Sequence, residues 1–81
     1  MDPQATWDEM MFAWSVGDTE QAAVAANELN HWLLENGRSP HTIPELDEHD
    51  PLNAVVAKTV ARAILLNDLK RDFGIGFVSD L

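Results

Sequence analysis

From Pro51 to Asp72 the chain runs without a glycine and without a proline after the first residue. Strands are rarely longer than about 10 residues, so an uninterrupted segment of this length predicts a helix. Its start is marked by Asp50 as cap and Pro51 at the first helical position, where a missing N–H costs nothing, and Gly74 is placed to stop it. Leu52, Val55, Val56, Val60, Ala63, Ile64, Leu65, Leu66 and Leu69 cover much more than one stripe of this helix, leaving Lys58 and Arg62 as a narrow charged edge. A helix so apolar needs cover on more than one side. Whatever the rest of a small domain leaves bare becomes a contiguous exposed patch, the usual mark of an interface.

Two further helices are legible upstream. Thr6 followed by Glu9 has the spacing of a capping box, predicting a first helix over residues 7–16. At about 100° per residue Trp7, Met10, Met11 and Trp14 fall together, while Phe12 and Val16 lie well round the other side, so burial is expected on more than one face. Gly17 suits the left-handed position that ends a helix, and Asp18 can cap the next, with Gln21 at its third position. That second helix is predicted over residues 19–36, with Ala22, Ala25, Ala26, Leu29, Trp32 and Leu33 on one stripe and Gly37 at its end. The antiparallel return should bring Leu29 against Trp14 across the Gly17 turn, with both largely buried. Residues 38–50, with Pro40, Pro44 and the acidic stretch 45–50, read as a long connection containing one short turn near residues 44–47. Residues 73–81 alternate glycine with Ile75, Phe77 and Val78 and are expected to form an extended arm. The predicted architecture is all-α: residues 1–81 as a single domain, a small three-helix bundle made of the hairpin 7–16/19–36 and the long helix 51–72.

Ala13 and Trp14, then Gly17, Asp18, Thr19, Glu20, Gln21 and Ala22, then Ala26 and Leu29 make a stretch that resembles the turn between the two helices of a tetratricopeptide repeat. In that family the glycine lets the hairpin turn tightly, the alanine after it gives close helix packing, and stacked repeats form a peptide-binding groove. This chain has no second copy at a 34-residue period, and the proline expected just past the second helix stands at Pro40. The resemblance, over residues 13–34, therefore implies the hairpin geometry and not the groove.

Fourteen acidic residues against five basic ones give a net charge of −9, which argues against binding nucleic acid through its phosphates. The charge is unevenly placed: residues 1–50 hold eleven acids and Arg38 alone as a base, whereas residues 51–81 hold three acids and four bases. The two parts should attract each other, within one chain or between two. Cysteine is absent, so neither a disulfide nor a thiolate-bound metal can reinforce a domain that buries only roughly 60% of its unfolded surface. Small domains without such staples gain burial by associating. The opening residues, Met1 to Thr6, lack the basic and apolar blocks of a signal peptide, and no apolar run approaches a membrane span; a cytoplasmic location is expected.

Residue patterns that could carry chemistry are few. Glu28 and His31 have the Glu-x-x-His spacing of a di-iron half-site, but on a helical wheel they stand with Glu20, Val24 and Glu35, opposite the apolar stripe, and should face water. His41 and His49, flanked by Glu45, Asp47, Glu48 and Asp50, offer nitrogen and oxygen ligands for zinc or another divalent ion, on a loop that is expected to be a solvated linker instead. No phosphate-binding glycine loop, nucleophile elbow or zinc-protease helix is present, and Ser15, Ser39 and Ser79 have no base beside them in sequence. Trp7, Trp14 and Trp32 are expected to pack in the core. No catalytic residue, metal or cofactor is assigned. The expected function is that of an interaction or assembly module, self-associating as a dimer or docking another protein through Leu52, Val56, Val60, Ile64, Phe73 and Phe77. The alternatives are an acidic mimic of nucleic acid that occupies a DNA-binding protein, and a small enzyme or metal binder using His41 and His49.

Overall fold

The computed structural model describes residues 1–72, with side chains for residues 1–69, and is a three-helix all-α bundle. Helix α1 spans Pro3–Ser15, α2 Thr19–Leu34 and α3 Pro51–Asp72. The arm predicted for residues 73–81 lies outside the described residues.

Helix α1 begins one turn earlier than the Thr6 and Glu9 pattern predicts. Asp2 is its cap, accepting from the backbone N–H groups of Gln4 and Ala5, and Pro3 fills the first position. Thr6 is instead buried inside the helix, its hydroxyl donating to the Asp2 carbonyl at 3.1 Å. An Asp-Pro start satisfies the orphan donors as well as a capping box does, and it comes first along the chain.

Both ends of the hairpin close by the same device. At the end of α1, Gly17 takes φ +82°, its N–H donates to the Trp14 carbonyl at 3.1 Å, and the Asp18 N–H donates to the Ala13 carbonyl at 2.9 Å. Asp18 then caps α2 through the Gln21 N–H at 3.2 Å, while the Gln21 side chain donates to Glu9 on α1 at 2.7 Å. At the far end of α2 the left-handed residue is Asn36, with φ 65°, and not Gly37. Glycine is required at position 37 for space: a Cβ there would overlap the indole of Trp32, whose Nε1 donates to the Arg38 carbonyl at 2.8 Å. Gly37→Ala should therefore expel the Trp32 ring and cost about 1 to 3 kcal/mol. A red shift of tryptophan emission with a lowered denaturation midpoint is the expected result; an unchanged midpoint would show that the ring moves aside freely.

Helix α2 lies between the other two, packing against both. Its alanines make this feasible: Ala22, Ala23, Ala25 and Ala26 are all buried and let α1 and α3 approach closely, while Leu29 and Leu33 fill the middle and the far end. From α1 the core takes Trp7, Met10 and Ala13; from α3 it takes Ala57, Ala61 and Ile64. Only this one face of α1 is buried, contrary to the two-faced expectation. Phe12 and Val16 face solvent, and so do Met11 and Trp14 on the flank, Trp14 being 42% exposed. The predicted burial of Trp14 against Leu29 is thus half right, because small Ala13 occupies the closest approach and leaves the larger indole outside.

The connection between α2 and α3 is ordered by side chains. Its two turns are closed by the Leu46 N–H on the Ile43 carbonyl and the Asp50 N–H on the Asp47 carbonyl. Gln4 on α1 treats His41 as a neighbouring strand residue, accepting from its N–H at 2.8 Å and donating to its carbonyl at 3.4 Å. Asn53, fully buried in the first turn of α3, holds the rest. Its Oδ1 accepts from the Thr42 and Ile43 N–H groups, each at 2.9 Å, and its Nδ2 donates to the carbonyls of Asp47 and Asp50 at 2.9 and 3.2 Å. The connection thereby returns to the start of α1, and α3 runs antiparallel to α2 until Leu65 and Asp68 stand beside Asp18 to Gln21.

Candidate functional site

With α2 on one side of α3, the opposite side meets nothing among the described residues. Leu52, Val55, Thr59, Arg62, Leu66 and Leu69 follow one another in alternating steps of three and four residues and are all exposed. The four apolar ones are 53, 55, 58 and 49% accessible respectively. That spacing defines a straight seam on a helix, and this seam lies opposite Asn53, Ala57, Ala61 and Ile64 on the core side. The row thus presents two apolar ends, Leu52 with Val55 and Leu66 with Leu69, separated by a polar centre of Thr59 and Arg62.

Beside this row, α1 and α3 leave a groove between them of about 390 Å³, lined by Met11, Trp14, Val60, Ala63 and Ile64 with Thr59 and Asn67 at its edge. Exposed Met11 and Trp14 therefore adjoin the row.

The residues expected to form the interface divide. Leu52 faces solvent, on the row. Val56 and Val60 are half-buried and pack against the core, and Ile64, 5% exposed, belongs to it, so these three serve α3's attachment to the bundle. Phe73 and Phe77 lie outside the described residues. Val55, Leu66 and Leu69 are the outward residues that apolarity alone does not single out, because apolar side chains cover both sides of the helix and periodicity does not tell the inner from the outer. The seam was nevertheless visible as a heptad-like spacing from Leu52 to Leu69.

The other candidate residues do not converge. Glu28 and His31 are exposed on α2, as expected of a solvated face. His41 bonds through Nε2 with the Leu46 carbonyl at 2.8 Å, and His49 lies 3.4 Å from Glu48 with both side chains in solvent. Among the described residues no group of three or more histidine and carboxylate side chains is placed to hold a metal ion. Of the carboxylates, Asp2, Asp18 and Asp50 cap helices, and Asp47 accepts from the His49 N–H within its turn. No helix among the described residues is long and apolar enough to cross a membrane.

Compared with family models, with curated proteins and with solved structures, the chain matches none. The functional reading therefore stands on the geometry of α3.

Proposed function

We propose that this protein is an assembly module that binds a second copy of itself through the outer face of α3. The observation that carries the reading is the row of Leu52, Val55, Leu66 and Leu69, turned directly away from the chain's own core. Large apolar side chains scattered singly on a surface need no explanation, but four in register on one helix face, paired at its two ends either side of Thr59 and Arg62, are not scattered. Covering this row with the same row of another copy removes both from water, and the gain suits a small domain that has no disulfide to reinforce it. The polar Thr59 and Arg62 at its centre limit how such rows can meet, which favours a defined partner over indiscriminate aggregation.

Sedimentation velocity across a concentration series tests this. A dimer at micromolar concentration is expected, dissociating on dilution, and Leu66→Glu should weaken it by roughly a hundredfold or more. The charge enters a symmetric contact twice, at about 1.4 kcal/mol or more each. Because Leu66 faces solvent within the monomer, its helical content should survive the change. A parent chain that sediments as a compact 9.0 kDa monomer throughout would dispose of the proposal.

A further inference from the structure

The layout of the row also determines which way round two copies can meet. Resting on the self-association proposed above, we infer that the two α3 helices pack antiparallel, centred between Thr59 and Arg62. The row is nearly palindromic. Antiparallel pairing about that centre sets Leu52 against Leu69 of the partner subunit, Val55 against Leu66 of the partner subunit, and Thr59 against Arg62 of the partner subunit. Every large apolar residue meets another, and each guanidinium lies beside a hydroxyl. Parallel pairing in register would align the same apolar positions but set Arg62 directly against the partner's Arg62, whereas the antiparallel pairing offsets the two by about 4.5 Å along the helices and places a hydroxyl opposite each, which favours the antiparallel orientation.

Charge at the ends points the same way. The acidic turns before α3 carry Glu45, Asp47, Glu48 and Asp50, all four beside its first turn in sequence, whereas its last five residues, 68–72, hold two acids and two bases and so no net charge. Antiparallel packing brings the acidic end of each copy to the net-neutral end of the other, twice over by symmetry; parallel packing brings acid to acid. Opposed helix dipoles add to the preference.

The absence of native cysteine allows a direct test with single replacements. Leu52→Cys and Leu69→Cys variants are prepared separately, then oxidised with oxidised glutathione, alone and as an equimolar mixture. In the antiparallel arrangement positions 52 of the two copies are about 25 Å apart along the helices, far beyond the roughly 7 Å between Cα atoms that a disulfide spans. Each variant alone should therefore cross-link poorly, and the mixture should give the mixed disulfide roughly tenfold in excess over either homodisulfide. The inner pair, Val55→Cys with Leu66→Cys, should behave alike and guards against a replacement that disturbs one end. Efficient homodisulfides from single variants would establish parallel pairing and overturn the inference while leaving self-association intact. Cross-linking from neither pair, in a chain that sediments as a dimer, would overturn it by excluding this register. A chain that stays monomeric removes the proposed function together with the inference.

Discussion

Replacing Asn53 by alanine is expected to cost about 3 kcal/mol of folding stability, a large share of the roughly 5 to 15 kcal/mol that holds a domain together. The side chain is fully buried and all its hydrogen-bonding capacity is used: two backbone N–H groups donate to it and two backbone carbonyls accept from it. Alanine leaves the Thr42 and Ile43 N–H groups unpaired at the base of α3, where the connection would have to open to give them water, while the Asp47 and Asp50 carbonyls each lose one of two donors and keep a backbone N–H. Leaving a buried donor unsatisfied costs about 1 to 3 kcal/mol, and partial solvent access to the loop keeps the total for the two N–H groups below twice the upper end of that range. Asn53→Asp preserves the shape but replaces the donating NH₂ with an oxygen that faces the Asp47 and Asp50 carbonyls. Burial beside those carbonyls raises the new carboxyl's folded pKa above its unfolded value of about 3.9. The penalty of Asn53→Asp relative to the parent is therefore small below that pH, where both states are protonated, and grows as pH rises above it. Urea denaturation at pH 4 and pH 7 measures both effects. A midpoint for Asn53→Ala within about 0.5 kcal/mol of the parent would mean that the loop does not depend on this amide.

The helices, by contrast, were legible because their boundaries are written in backbone chemistry. Asp18 and Asp50 cap where they were expected to, since a short carboxylate before a helical run has few other uses, and Gly17 adopts the positive φ its position demands. At the start of α1 two adjacent signals competed. Asp2-Pro3 prevailed over Thr6 with Glu9 because a helix can extend through a threonine whose hydroxyl bonds back to the preceding turn. Asn36 could replace Gly37 as the left-handed residue because asparagine also tolerates that conformation, which left the glycine to solve a problem of space that only the folded Trp32 creates.

Which side of each helix turns inward was harder to read, and that uncertainty governs the site. Periodicity ranks residues by apolarity, whereas packing ranks them by fit: α2 is lined with alanines, so its neighbours approach through Ala13, Ala57 and Ala61 and leave bulkier residues on the flanks. Hence Trp14 is outside although it is larger and more apolar than Ala13. In α3 the inward side holds Asn53, a polar residue on the core stripe of an apolar helix, and that misfit was the sequence's signal for a buried hub. The outward side holds the leucines assigned to no partner. The loop's turns set His41 beside the Leu46 carbonyl and His49 beside Glu48, an arrangement that depends on which turns form and that residue spacing alone does not give.

Consecutive methionines on α1 test this inside-out pattern with the same substitution made twice. Met10 is completely buried in the cluster that includes Leu29, whereas Met11 is 40% exposed at the groove beside α3. Met10→Ala should cost about 2 to 5 kcal/mol, combining the lost transfer energy of the side chain with the cavity left between helices that alanine contacts already hold close. Leu29→Ala should fall in the same range. Met11→Ala should cost about 1 kcal/mol or less, since little area returns to water and solvent fills the space. Exposed Glu28→Ala on the opposite side of α2 should change stability by no more than about 0.5 kcal/mol. Denaturation is compared at one fixed protein concentration, because self-association is linked to stability and a substitution near the α3 row could act through the dimer. Repeating the series in the Leu66→Glu background separates the two contributions: Met10→Ala should keep its full effect there, while any part of the Met11→Ala effect that comes from the contact between copies disappears. Equal costs for Met10→Ala and Met11→Ala in that background would mean that α1 is rotated about its axis from the position described. Trp14 would then turn toward the core and no longer adjoin the α3 row.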